Sequence, residues 1–383
     1  MKRLLIAPLL LTAGLQAATL EQKPARKTAP ATAGHKTTVA SKATGSLRAA
    51  GTRKRAVKPL PPYDPTDGDN VDGDDLVIRR AAVAALGDVK GSVVVVDPNS
   101  GRILTIVNQR LAFESGFTPC STIKLVTSVA ALTEHIVDRD TWIYTSRVAR
   151  FNLTTALAVS NNQYFATLGN RLGFDRVVRY AQMLGLGERA SMDIEAEQPG
   201  TIAAEPPKFG GAGMMTSFGL GFTVTPLELA ALVSTIANGG TLYYLQYPRT
   251  EADMENFTPR VKRPLAPEIG GIADIRNGMR GAVDFGTARR ANDPEDPIFG
   301  KTGTCTDFRA ASHMGWFGSF NDSGARKLVV VVMLTGGHEV NGPAAAGVAG
   351  AIYRSLSEQR YFADSTPHDI VNVAGLSGDT AAQ

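Results

Sequence analysis

This 383-residue chain is poor in the residues that build covalent or metal-bound scaffolds. Two cysteines, Cys120 and Cys305, are too few for a disulfide framework and lack the paired spacing of a zinc site. The five histidines, at 35, 135, 313, 338 and 368, are scattered, so neither a His-based metal centre nor a His-containing triad is visible. No metal or other cofactor is expected. A phosphate-binding loop is also missing: Gly300-Lys301-Thr302 imitates its end, but the glycine required five positions earlier is Glu295. Six aspartates crowd residues 64–75 without the glycine and distal glutamate of a calcium loop. Asp72 or Asp74 is instead expected to cap a helix running to about Ala85.

What is present at the start has the shape of an export signal. Lys2 and Arg3 precede the apolar run Leu4–Leu15, and the small residues Ala17 and Ala18 follow. The run is too short for an ordinary membrane span, so residues 1–17 read as a signal peptide, with an uncleaved anchor as the alternative. No cysteine follows the run, which argues against a lipoprotein. Residues 18–62 are rich in Ala, Thr, Lys, Arg and Pro and cannot bury enough surface to offset ordering entropy. They begin a disordered linker, basic and then acidic, through 74. The net charge is +2 over residues 1–20 and +9 over 21–60, which leaves −7 of the chain's +4 for 61–383. The body is acidic and only the arm is basic, so no nucleic-acid partner is expected. Arg53-Lys54-Arg55 is the cluster that would touch anionic envelope polymers or lipid head groups, although a solvated tether is the plainer reading.

The body, 75–363, reads as α+β. Ser92–Val96 and Arg102–Val107 are strands around the turn sequence Asp97-Pro98-Asn99-Ser100-Gly101. Leu125, Val129, Leu132 and Ile136 mark a helical face over 122–136. Residues 150–240 are mainly helical in pattern. Ile298–Thr304, Ser312–Phe320 and Lys327–Leu334 are strands, and a last helix covers about 344–356. This order predicts a five-stranded, mostly antiparallel sheet with flanking helices and a helical lobe. Residues 364–383 read as a loose tail.

Three short signals carry chemistry. Ser121-Thr122-Ile123-Lys124 occurs once and opens a helical pattern. Residues i and i+3 of a helix share a face, so the lysine amine can reach the serine hydroxyl. A serine becomes a nucleophile when a base takes its proton, and a buried lysine with a lowered pKa can be that base. Ser160-Asn161-Asn162 offers a second hydroxyl for proton relay and amides that can hold a peptide bond. Ser319-Phe320-Asn321 repeats the pattern but lies on an expected strand. Lys301-Thr302-Gly303-Thr304 puts a cation and two hydroxyls on one strand, a carboxylate-binding edge. Gly303 there is expected to clear room for substrate against the backbone.

Ser-x-x-Lys, Ser-x-Asn and Lys-Thr-Gly in this order resemble the signature shared by penicillin-binding proteins and serine β-lactamases. The likeness extends over roughly 90–356. Ala158–Phe165 is similar to the second-motif region of the penicillin-binding transpeptidase domain. Gly219-Leu220-Gly221, Val224–Ala230 and Ile236–Gly240 are similar to its helix before the third motif, and Trp316-Phe317-Gly318 to the strand after it. The resemblance implies Ser121 as acylated nucleophile, Lys124 as its base and Ser160 as proton shuttle. It implies Asn162 on the substrate amide, Lys301 for electrostatics, and Thr302 and Thr304 on the substrate carboxylate. The N–H groups of Ser121 and Thr304 would form the oxyanion hole. The implied partners are D-alanyl-D-alanine ends of peptidoglycan stem peptides, for a D,D-transpeptidase or D,D-carboxypeptidase, and the β-lactams that mimic them. No glycosyltransferase-like region precedes the domain, so a single activity is expected.

If both N–H groups serve one oxyanion, Cys120 and Cys305 lie near disulfide range, and a Cys120–Cys305 bridge is expected in an oxidising compartment. Certain class A carbapenemases look similar at these positions. A β-lactamase would need a group to activate the deacylating water. Glu195 and Glu197 lie about where such a glutamate falls, but the asparagine expected four positions on is replaced by Pro199 or Thr201. A non-catalytic envelope binding module is the third reading, and it would not need Ser121, Lys124, Ser160 and Lys301 together.

Overall fold

Valine-rich strands set the centre of the fold. A computed structural model describes residues 63–114, 116–307 and 312–363. The expected signal peptide, most of the linker and the tail lie outside the described residues. Five strands form one sheet: β1 (Gly91–Val96), β2 (Ile103–Val107), β3 (Ile298–Asp307), β4 (Ser312–Asn321) and β5 (Val329–Gly336). Their order is β2-β1-β5-β4-β3, and every pairing is antiparallel. This is the α+β sheet expected from the sequence, with β3 at an edge.

β1 is buried at all six positions because both faces of the sheet are covered. Val93 and Val95 face a layer built from α1 (Leu76–Leu86) and the long C-terminal helix Gly342–Glu358, through Ile78, Ala82, Ala349 and Ile352. Val94 and Val96 face the larger core with Val129, Leu229 and Val233. That core joins the sheet to the helical lobe: α2 (Lys124–Thr133), α3 (Leu153–Ala158), α4 (Asn162–Leu172), α5 (Phe174–Met183), α6 (Gly211–Phe218), α7 (Pro226–Ala237) and α8 (Ile272–Asp284). The C-terminal helix is α9. Among the described residues no helix is long and apolar enough to cross a membrane.

Several boundaries differ from expectation for local reasons. Asp75, not Asp72 or Asp74, caps α1, accepting from Val77 N and Ile78 N. Asp74 is buried and engaged by Arg79 and Thr105, each at 2.8 Å. The helix expected over 122–136 begins as a 3₁₀ turn, Cys120–Ile123, and ends at Thr133. β5 starts two residues late because Leu328 N donates to Asn321 Oδ1 (2.7 Å) in the preceding turn. The second Ser-x-Asn is part of that sheet: Ser319 donates to Val330 O and Asn321 is fully buried.

Candidate active site

The site forms where the 3₁₀ turn, the α3–α4 turn and edge strand β3 meet. Residues three apart eclipse in a 3₁₀ turn, so Ser121 and Lys124 leave it on one side. The backbone before Ser121 is held in an unfavourable form: Cys120 has φ +52°. Such a conformation persists only where its surroundings impose it. Here Thr122 donates twice to Pro119 O, through N–H (3.1 Å) and hydroxyl (2.7 Å). Trp316 Nε1 on β4 donates to Thr118 O at 3.0 Å. Gly219, with φ +74°, closes α6 so tightly that a Cβ would lie 2.7 Å from Pro119 Cγ and 3.1 Å from Cys120 N.

Gly303 closes the turn from the other side. A Cβ there would meet Pro119 O at 2.9 Å, Trp316 Cβ at 3.1 Å and Thr122 Cγ2 at 3.2 Å. The glycine therefore admits the Ser121 turn. Cys120 and Cys305 face each other along the same seam, with Cα atoms 5.6 Å apart and sulfur atoms at bonding distance.

Lys124 is buried, yet its amine reaches Ser160 O (2.8 Å), Ser160 Oγ (3.0 Å) and Asn162 Oδ1 (2.5 Å). The amine's hydrogen bonds thus go to the α3–α4 turn rather than to Ser121. Three acceptors from the α3–α4 turn outcompete one hydroxyl. Among the described residues Ser121 Oγ has no hydrogen-bond partner, and the residue is half-buried. Ser160 is a second non-glycine residue with positive φ, +57°. Its hydroxyl also accepts from Lys301 Nζ at 2.9 Å, and Lys301 further donates to Thr302 O at 2.8 Å. Asn161 turns away and caps α4, accepting from Tyr164 N at 2.8 Å. Asn162, the first residue of that helix, is exposed beside the site.

Among the described residues neither lysine meets a carboxylate. A buried cation without a counter-charge is costly, so the neutral form gains. Burial, and next the charge of Lys301, push Lys124 down to about 6. Burial pushes Lys301 down to about 7. Neutral Lys124 keeps two protons for the pure acceptors, Ser160 O and Asn162 Oδ1. Its lone pair is then left for a hydroxyl.

The two threonines of β3 alternate with Lys301 and Gly303 along the strand. Thr302 is buried, and its hydroxyl lies 2.6 Å from that of Thr287. Thr304 is exposed and accepts from Gly342 N at 2.8 Å, at the start of α9. Thr287 and Gly342 were not indicated by any motif, because each is brought in by a separate helix end. The two glutamates weighed for water activation do not join the site. Glu195 is exposed. Glu197 is buried and its carboxylate is consumed by Ala190 N and Ser191 N, each at 2.8 Å, and by the Ser191 hydroxyl.

Residues 91–358 match the family model described as penicillin binding protein transpeptidase domain. The chain is 28% identical over 317 residues to Stage V sporulation protein D of Bacillus subtilis, covering 71% of this chain and 49% of that protein. It is 24% identical over 337 residues to Peptidoglycan D,D-transpeptidase MrdA of Haemophilus influenzae, covering 68% and 52%. The chain thus spans about half the length of these curated relatives. Among solved structures, the TP domain from Burkholderia pseudomallei penicillin-binding protein 3 shares the fold. The TM-score is 0.65 at 19% identity, over 77% of this chain and 98% of that one.

Proposed function

Because the chain belongs to the penicillin-binding protein transpeptidase domain family, we propose that it is an extracytoplasmic serine D,D-transpeptidase acting on the D-alanyl-D-alanine ends of peptidoglycan stem peptides. One observation carries the reading: two buried lysine amines, without carboxylate partners among the described residues, converge on Ser160 Oγ, and Ser121 Oγ has no hydrogen-bond partner among those residues. Structural lysines are almost never buried unpaired, whereas catalytic amines are.

The chemistry we infer uses these groups in turn. Ser121 Oγ attacks the carbonyl carbon of the penultimate D-alanine, and its proton passes to the Lys124 amine. The N–H groups of Ser121 and Thr304 receive the developing oxyanion. The C–N bond to the terminal D-alanine breaks, and Ser160 hands the departing nitrogen a proton that Lys124 replaces. The ester on Ser121 then passes to an amine of a second stem peptide. The free edge of β3 accommodates the extended substrate, Asn162 takes its amide, and Thr302 and Thr304 take its carboxylate. A β-lactam acylates Ser121 along the same route. The Cys120–Cys305 pair is a disulfide in this reading, as an exported chain permits. Residues 1–17 direct export, and the basic arm is a solvated tether in which Arg53-Lys54-Arg55 is the cluster that would touch anionic envelope polymer.

Intact mass and drug concentration, followed over hours with excess benzylpenicillin, test the proposal. A lasting single adduct on Ser121 with little drug consumed is the expected result. Rapid drug loss without a lasting adduct identifies a β-lactamase, and neither adduct nor loss leaves only a binding role.

The rate of acylation should depend on pH with a defined sign. Lys124 must be neutral to take a proton, and its pKa is pushed down to about 6. The acylation constant should therefore fall as pH drops through about 6 and hold across neutrality. A limb near the ordinary lysine value, about 10.4, would remove Lys124 as the base. Gly303→Ala should slow acylation by about tenfold or more, since β3 must move off the Ser121 turn. An unchanged rate would show that the seam can yield.

A further inference from the structure

Resting on the function proposed above, we propose that Thr287 is a positioning residue that orients the Thr302 hydroxyl toward the substrate carboxylate, and that the Phe285–Thr287 segment thereby couples the Ser160 turn to β3. The argument begins with how many protons each hydroxyl has. A threonine side chain carries one donor and two acceptor lone pairs. A carboxylate only accepts. Thr302 can grip it only by spending its single proton outward, so its other contact must donate to it.

Thr304 shows the pattern without ambiguity. Its hydroxyl receives a backbone N–H from Gly342 at 2.8 Å, and its own proton is left for the open side. Thr302 has no such N–H. Its hydrogen-bond partner among the described residues is the Thr287 hydroxyl, at 2.6 Å. With a carboxylate present the chain must run Thr287 to Thr302 to carboxylate, each hydroxyl polarising the next. Thr287 thus does for Thr302 what the N–H of Gly342 does for Thr304.

The segment is fixed from the opposite motif. α8 ends at Asp284, and Gly286 N and Phe285 N both donate to Gly281 O, at 2.9 Å and 3.1 Å. Thr287 N donates to Ala158 O at 3.2 Å, two residues before Ser160. Gly286 lies so close to that carbonyl that a Cβ would stand 2.1 Å from its oxygen. One residue therefore holds the end of α3 with its backbone and Thr302 with its side chain. A shift of the Ser160 turn is transmitted to the carboxylate grip.

The test uses the full chain and two ligands, benzylpenicillin and its carboxyl methyl ester, with second-order acylation constants read by intact mass. Thr287→Val preserves shape and removes the hydroxyl; Thr287→Ser restores it. Thr287→Ala, which keeps the N–H to Ala158, serves if the valine variant does not fold by thermal unfolding. Thr287→Val should lower the constant for the acid by about tenfold and for the neutral ester by about twofold at most, because hydrogen bonds to charged groups are the stronger ones. Thr287→Ser should return the acid to within about twofold of the parent chain. Equal losses for acid and ester, or no loss, would overturn the positioning role while leaving the function intact. An unmodified Ser121 in the parent chain would instead overturn the function, and this proposal with it.

Discussion

Lys124→Ala is expected to slow acylation of Ser121 by about 10²–10⁴-fold, while the chain still folds. The amine is buried against the Ser160 turn, where it bonds Ser160 and Asn162, and the proposed function makes it the group that takes the Ser121 proton. Lys301 bonds Ser160 Oγ and Thr302 O on its own strand, and in the proposed route it supplies electrostatics rather than taking the Ser121 proton. The same burial makes Lys124 a burden on stability. Its folded pKa of about 6 lies below the value of an exposed lysine. Between those two values the unfolded chain binds a proton that the folded chain does not. Stability from this group therefore rises with pH across that window and is lowest below about 6. Lys124→Met removes the cost and keeps most of the volume, at the loss of three hydrogen bonds. Its melting temperature near pH 6 should consequently equal or exceed that of the parent chain, although it is acylated as slowly as the alanine variant. Single-turnover acylation and thermal unfolding on the two variants decide the matter. Wild-type acylation in Lys124→Ala would transfer the base to another group. A melting temperature for Lys124→Met well below the parent's would show that the amine's hydrogen bonds outweigh its desolvation.

The parts of the site written in short motifs were legible, and the parts made by tertiary approach were not. A valine run buried on both faces can hardly be read as anything but a central strand, and β1 is one. The three motifs led to Ser121, Lys124, Ser160 and Lys301, which lie in a 3₁₀ turn, at a helix start, between two helices and on an edge strand. The motif spacing did not say where Lys124 would point, because that depends on acceptors thirty-six and thirty-eight positions away at Ser160 and Asn162. Nor could it explain Gly303, whose constraint is a carbonyl at Pro119. Thr287 was invisible for the same reason: no local period connects it to Thr302, and only the packing of α8 against α3 brings it there. Asp75 was displaced as the expected cap by the attractive neighbours Asp72 and Asp74. Burial of Asp74 against Arg79 is a long-range fact that propensity does not contain.

The second large effect concerns the seam between Cys120 and Cys305. The two positions are separated by 185 residues, and their Cα atoms are 5.6 Å apart, inside the range a disulfide spans. A bridge closing so long a loop restricts the unfolded chain, and breaking it should cost about 2–4 kcal/mol. It also acts locally. Cys120 precedes Ser121 in a left-handed conformation that the chain would leave if released, and Cys305 follows Thr304 directly. Such a bridge would tie together the two residues whose N–H groups the proposed function gives to the oxyanion. Cys305→Ser should lower the denaturation midpoint by the stability above and slow acylation by about tenfold or more, since both donors lose their fixed separation. Reductant should reproduce both changes in the parent chain and have no further effect on the variant. Alkylation before mass measurement checks the premise: no thiol should react until reductant is added. Two modified cysteines in untreated protein would mean that packing alone, through Gly219, Gly303 and Trp316, holds the Ser121 turn. In that case neither reductant nor Cys305→Ser should alter the acylation rate.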